Sequence, residues 1–270
     1  MKSACGPEPA VLSYQHAYHA GSAADVHKHA LLALLLDYMA AKPKPLSYIE
    51  THAGRALYDL TGREARKTGE AAAGIARAAG WFAPDHPYTR ALDGARARGG
   101  PDAYPGSPLI AHLLLRDDDR ITLAELHPRE SAALRDAMPW ADVRVQDGPA
   151  MALAMVPPTP RRGVMLIDPS YELKPEFDAM PRLLAKLHRR WPVGVLVLWY
   201  PVLSSGAHAP MATALDGLGI EGALHNRVSF PPARPGHGMT GSGLYVVNPP
   251  WGLADAAADL AVRFAALQAM

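Results

Sequence analysis

The chain reads as an α/β protein: a mainly parallel sheet with helices on both faces, an antiparallel last strand and a small helical insertion. Three observations predict this. Beyond residue 106, short apolar runs alternate with stretches of helical length, the rhythm of strands joined by crossover helices. Apolar runs end abruptly on polar or small residues, at ETHAG, AELHP, VQDG and IDPSY. The last two runs are joined by a Gly/Pro-rich loop, which suggests a closing hairpin. A length of 270 residues suits one α/β unit with an insertion as well as it suits two domains.

The elements follow in order. Residues 1–10, with Pro7 and Pro9, form a loose extension. AADVHKHALLALLLDYMAA predicts a helix with Asp25 as its cap and a dense apolar face from Leu31 to Met39, stopped by Lys42 to Pro45. LSYIETHAG is a short strand running into a glycine turn. From Tyr58 the composition becomes Ala-, Arg- and Gly-rich with few β-branched residues. We therefore expect a helical insertion over 58–106, separate from a main domain of 1–57 and 107–270. ITLAELHP, a helix from Arg129 to Met138, DVRVQD, GVMLIDPSY, a helix over Pro175 to Arg190 and VGVLVLWYP continue the alternation. IEGALHNRVSF and GSGLYVVNPPW supply the hairpin.

Hydrophobic residues at 49% and charged residues at 20% are ordinary globular composition. A net charge of +1 neither demands nor excludes a nucleic-acid partner, because a local basic patch can act without a global excess. Cys5 stands alone and cannot form an internal disulfide, which suits a reducing compartment. No uninterrupted apolar run approaches the length of about 18 residues that spans a bilayer. The start, MKSACGPEPA, lacks the apolar core of a signal peptide. A soluble protein of the cytoplasm, without membrane partners, is expected.

Ligands on an open parallel sheet bind at the carboxyl ends of its strands. There Gly54 permits close backbone approach, Glu125 can bind a ribose diol, and Asp147 with Gly148 can accept from an adenine amine. The plain alternative is that these residues only terminate strands. Asp168 likewise caps the next segment or does chemistry. The chemical reading uses the whole tetrapeptide DPSY. An exocyclic adenine amine is a poor nucleophile because its lone pair is delocalised. The Asp168 carboxylate and the Pro169 carbonyl, both accepting from that amine, would localise the pair. Tyr171 could stack on a base taken out of its helix, a contact worth about 1–3 kcal/mol. A rival, NPPW at 248–251, fits the amino-group methyltransferase pattern better by letter but follows the last strand. Asp168 follows GVMLI, an apolar run suited to a central strand.

The ordered set SYQHAYHAG, THAG, GEAAAGIARA, YPGSPLIA, AELHP, LIDPSYE, LWYP and GLYVVNPPW resembles the bacterial 23S ribosomal RNA adenine-N6 methyltransferase J family over nearly the whole chain from Val11. The resemblance implies a class I Rossmann-like methyltransferase fold, S-adenosylmethionine as methyl donor, 23S rRNA as partner, methylation of the N6 amine of one adenine, and a monomer; no metal is expected beside it. It places cofactor contacts on His29, His52, Ser107, Glu125, Asp147, Gly148 and Asp168. Catalysis falls on Asp168, Pro169 and Tyr171, and substrate handling on Tyr14, His16 and Lys28. The chain departs from the family pattern at Ser170, where a second proline is usual, and at Arg55–Ala56 after the glycine turn. These departures keep open an RNA- or nucleotide-binding protein with weakened catalysis, and DNA adenine remains an alternative substrate.

His16, His19, His27 and His29 invite a metal reading, but His27 and His29, two apart on a helix, point to different faces. Ser107 before Pro108 is either a helix cap or a cofactor contact, or both. Arg63, Arg66, Lys67, Arg96 and Arg98 of the insertion are either solvated surface or contacts to RNA phosphates.

Overall fold

A computed structural model describes residues 15–268, so Tyr14 lies outside the described residues. A 3₁₀ turn, His16–Tyr18, leads into α1, Ala23–Ala40. Its cap is Ser22, whose hydroxyl accepts from the Asp25 N–H at 3.2 Å. This corrects the expectation that Asp25 caps. Asp25 sits one turn inside and reaches back to accept from the Gly21 N–H at 3.0 Å, a near relative of the capping box. The helix is buried along almost its whole length. It is apolar all round from Ala30 to Leu36, and a stretch of that kind must be covered on nearly every side. His27, Lys28 and His29 are buried with it, so each requires a partner.

The chain then forms β1, Ser47–Glu50, and enters the insertion through β2, Leu57–Asp59. Three helices follow: α2, Arg63–Thr68; α3, Glu70–Ala73; and α4, Pro87–Gly99. β3, Ala103–Pro105, returns antiparallel to β2. The insertion is therefore helical with a two-stranded clasp, formed where LYD and AYP face each other. Next come α5, Ser107–Leu114; β4, Arg120–Ala124; α6, Pro128–Ala137; β5, Asp142–Arg144; α7, Gly148–Met155; and β6, Gly163–Ile167. The chain closes with α8, Pro175–Arg190; β7, Val195–Leu203; α9, Ala209–Asp216; β8, Leu224–Ser229; β9, Met239–Val247; and α10, Leu253–Gln268.

The main sheet has the order β5-β4-β1-β6-β7-β9-β8. β5, β4, β1, β6 and β7 are parallel, and β9 runs antiparallel between β7 and β8. β6 is buried at all five positions, as the run GVMLI requires of a central parallel strand. From β1 the chain moves outward through β4 and β5, then returns to lay β6 on the other side of β1. That reversal opens a crevice between the carboxyl ends of β1 and β6, where open α/β sheets bind ligands. α1 packs against α4, α5 and α10 and against β9, and so ties the insertion to the sheet. Among the described residues no helix is long and apolar enough to cross a membrane.

Candidate active site

The ends of β1, β4, β5 and β6 open onto a cavity of about 360 Å³. α1 and the 3₁₀ turn bring His16, Lys28 and His29 to it, and the strand ends bring His52, Glu125, Asp147, Gly148 and Asp168. Ser107 joins them at the start of α5. Pro169 and Tyr171 are not among its lining residues.

Toward β4 and β5 the wall is built on tight backbone. Gly54 has φ +58°, and a Cβ there would stand 2.6 Å from the Tyr58 hydroxyl. At Gly148 a Cβ would fall 1.8 Å from the Thr51 carbonyl, so only glycine lets α7 start against the end of β1. The Glu125 carboxylate accepts from the backbone N–H of Gly54 and of His127, each at 2.7 Å, which fixes its direction, and burial raises its pKa. Asp147 caps α7 by accepting from the Ala150 N–H at 2.8 Å through Oδ1. Ser107 does not cap α5; Gly106 holds that place, and the Ser107 hydroxyl donates to Glu50 Oε1. Glu50 also accepts from the Tyr48 hydroxyl at 2.9 Å, and burial pushes its pKa up to about 8.

His52 and His29 are neutral. Burial pushes His52 down to about 4 and His29 down to about 3. His29 Nδ1 meets the Tyr104 hydroxyl at 3.0 Å, while its buried Nε2 has no hydrogen-bond partner among the described residues. An orphaned ring nitrogen, a carboxylate aimed by two amides and a glycine-lined approach suit a nucleoside cofactor that carries a diol and further polar groups. S-adenosylmethionine is such a molecule. Glu125 would hold its diol, and His29, His52, Ser107 and Asp147 would meet its remaining polar groups.

Across the crevice, Asp168 ends β6 and receives Lys28 Nζ on Oδ2 at 2.6 Å. Oδ1 accepts no hydrogen bond from the described residues. Lys28 also lies 3.1 Å from Asp25 Oδ1 and 5.5 Å from the centre of the Trp199 ring. Burial alone would lower the Lys28 pKa, but the Asp168 and Asp25 carboxylates outweigh it and hold the ammonium above its ordinary value. Tyr171 adopts φ 55° and turns its ring inward, 4.6 Å from the centre of Phe177, with its hydroxyl donating to the Trp199 carbonyl at 2.8 Å. The Tyr58 and Trp199 rings line the cavity, and Trp199 is the one that stands beside Lys28. The Trp199 indole N–H donates to Ser242 Oγ at 2.8 Å, and Ser242 in turn meets His27 Nδ1 at 2.9 Å.

Asp25, Glu50 and Trp199 were not singled out as site residues from the sequence. For Asp25 the signal existed, since an Asp three residues before a Lys on a helix puts the two side by side. Glu50 and Trp199 lie inside apolar runs and give no such sign. Among the described residues no group of three or more His, Cys, Asp or Glu side chains could hold a metal ion. His16, His19, His27 and His29 instead meet Asp25, Glu70, Ser242 and Tyr104.

A family model described as ribosomal RNA large subunit methyltransferase D, RlmJ, matches residues 43–266. The chain belongs to this family. It is 39% identical over 251 residues to the ribosomal RNA large subunit methyltransferase J of Escherichia coli (strain K12), covering 90% of this chain and 89% of that protein. The protein of the same name from Haemophilus influenzae is 38% identical over 255 residues, again covering 90% and 89%. A crystal structure of a protein from Legionella pneumophila superposes with a TM-score of 0.82 at 30% identity, over 92% of this chain and 94% of that one. Against the family pattern, Ser170 lines the cavity beside Asp168, and Ala56 is wholly buried. Arg55 forms a two-bond ion pair with Glu130 at 2.9 and 2.6 Å.

Proposed function

We propose that this chain transfers the methyl group of S-adenosylmethionine to the N6 amine of one adenine in 23S rRNA. The observation that carries the reading is Asp168, which lines the cavity and is held through Oδ2 by a buried ammonium, while Oδ1 accepts no hydrogen bond from the described residues. Bound at the cavity, the cofactor supplies a methyl group already activated by its sulfonium. The chain therefore has to position the amine rather than activate the donor. Asp168 Oδ1 accepts an N–H of the amine, turns its lone pair toward the methyl group, and leaves Asp168 placed to take up the proton that is released, while Pro169, outside the cavity lining, fixes the backbone that follows Asp168. Lys28 keeps the carboxylate from rotating. Tyr171, packed against Phe177, braces Trp199 rather than offering its own ring. Trp199 then supplies the flat wall for the base.

The exposed Arg63, Arg66 and Lys67 of α2 would meet phosphates of the RNA. Lys67 stands over the Tyr18 ring at 5.6 Å, and Tyr18 follows the cavity-lining His16 in the 3₁₀ turn. A monomer working in the cytoplasm completes the reading.

Nucleoside analysis of RNA from a deletion strain tests it. The expected result is loss of one N6-methyladenosine from 23S rRNA, restored by the wild-type gene and not by Asp168→Ala. An unchanged 23S rRNA pattern would overturn the substrate, and restoration by Asp168→Ala would overturn the role of the aspartate.

A further inference from the structure

One buried carboxylate joins the residues of the reacting half and takes no part in the chemistry above. Asp25 is 1% exposed. Its Oδ2 accepts from His16 Nε2 at 2.9 Å and from the Gly21 N–H at 3.0 Å. Its Oδ1 lies 3.1 Å from Lys28 Nζ and 3.8 Å from His29 Nε2. Lys28 reaches on to Asp168 at 2.6 Å. A single side chain thus touches the 3₁₀ turn and two residues of α1 and, through Lys28, the carboxylate at the end of β6.

A purely structural role accounts for half of this. The Gly21 N–H donating to Asp25 and the Asp25 N–H donating to Ser22 brace the start of α1. They do not account for Oδ1, which holds a lysine whose other partners are Asp168 and the face of Trp199. A buried ammonium is costly unless paired, and this one, though buried, belongs to a residue that lines the cavity. An ammonium has three N–H donors free to turn about the Cε–Nζ bond. With Asp25 taking one of them, Lys28 meets Asp168 at Oδ2 only. Without Asp25 it is free to straddle both oxygens of Asp168 and cover the one that the amine needs.

Resting on the reading of Asp168 above, we infer that Asp25 is a positioning residue for methyl transfer: it aims Lys28 so that Asp168 Oδ1 stays open, and it holds His16 beside the same cavity. The groups facing Lys28 are Asp25 and His29 from α1, Glu50 from β1, Asp168 from the end of β6 and the Trp199 ring from β7, with His16 beyond Asp25. Two of these, Asp25 and Asp168, hold the lysine in its charged form. Removing Asp25 takes away one of them, so Lys28 gives up its proton at lower pH.

The test is Asp25→Asn in the full chain, which keeps the shape and removes the charge. The readouts are kcat, KM for 23S rRNA, calorimetric cofactor binding and the pH profile of kcat. The expected result is a kcat roughly a hundredfold lower, with cofactor binding and melting temperature near wild type. Any alkaline limb of the profile should move to lower pH, the direction that loss of a carboxylate beside Lys28 gives. Asp25→Glu, which restores the charge, should be slower than wild type but keep its alkaline limb. A wild-type kcat and profile in Asp25→Asn would overturn the inference. So would a loss that is equal at every pH and accompanied by lost cofactor binding, or a shifted limb in Asp25→Glu. If the wild type itself transfers nothing to rRNA, the proposed function fails separately. The Lys28 side-chain titration followed by NMR then decides the inference: a lower midpoint in Asp25→Asn supports it and an unmoved one overturns it.

Discussion

Residues 168–171 and 248–251 spell nearly the same corner, a short polar side chain followed by proline and ending on an aromatic. Both follow buried strands of one sheet, and each holds a non-glycine residue in the left-handed region, Tyr171 at φ 55° and Asn248 at φ 53°. They do opposite things. Asp168 ends a parallel strand at the switch point, faces a buried lysine and lines the cavity. Asn248 ends the antiparallel β9, whose last residue pairs with Leu196 at the start of β7, so it lies at the other edge of the sheet. Its amide donates to the carbonyls of Pro192 and Gly194, each at 2.8 Å, and Trp251 is left 86% exposed. Strand direction, more than motif spelling, decides which corner can meet a substrate.

The comparison breaks first at the carboxylate. Asp168→Asn should lower kcat by roughly 10²–10⁴-fold, the range for losing a positioned acid–base group, with cofactor binding measured alongside to confirm a formed site. Asn248→Ala should leave kcat unchanged and cost stability instead, about 1 kcal/mol for each carbonyl bond lost, read by denaturant unfolding. Gly148→Ala sharpens the cofactor side. Its methyl group cannot share space with the Thr51 carbonyl, so α7 must shift, weakening cofactor binding and destabilising the fold by about 1–3 kcal/mol.

Buried titratable groups set the next effect. His27, His29 and His52 are pushed by burial from an ordinary value of 6.5 to about 4, 3 and 4, so the unfolded chain binds more protons below pH 6.5 and acid destabilises the fold. Glu50 is raised from 4.5 to about 8, so there the folded chain binds more protons and stability falls as pH rises from 4.5 through 8. Counting these four groups, stability peaks near pH 6.5, where the histidine gain ends and the Glu50 loss continues. Glu50→Gln should flatten the decline between pH 6.5 and 8 in thermal melts, and an unchanged slope would refute the assignment. The smallest effect belongs to the outer corner: Trp251→Ala should stay within about 0.5 kcal/mol of wild type and leave methyl transfer untouched.

Much of this was legible in the residues. The strand ends were visible because a parallel sheet buried on both faces writes its strands as apolar runs and its ligand edge as the polar residue that follows. Glu125, Asp147 and Asp168 stand out that way and all three line the cavity, and sheet position ranked Asp168 above Asn248. Long-range partners were less visible. Asp168 takes Lys28 from 140 positions away, and His27 takes Ser242 from 215 away, distances over which no periodicity speaks. The clasp of β2 and β3 was hidden because two three-residue strands carry too little pattern to read. Tyr171 shows a further limit: sequence places an aromatic after Asp168, but the backbone angle at that residue decides whether its ring meets a ligand or the core.

The most direct measurement is transfer of a labelled methyl group from S-adenosylmethionine into unmodified 23S rRNA, with nucleoside analysis of the product. It should be run side by side on the wild type, Asp168→Asn and Asn248→Ala. Label is expected in N6-methyladenosine for the wild type and Asn248→Ala, and at a rate at least about a hundredfold lower for a folded, cofactor-binding Asp168→Asn. Label from Asp168→Asn at the wild-type rate, or a folded Asn248→Ala that transfers nothing, would contradict it.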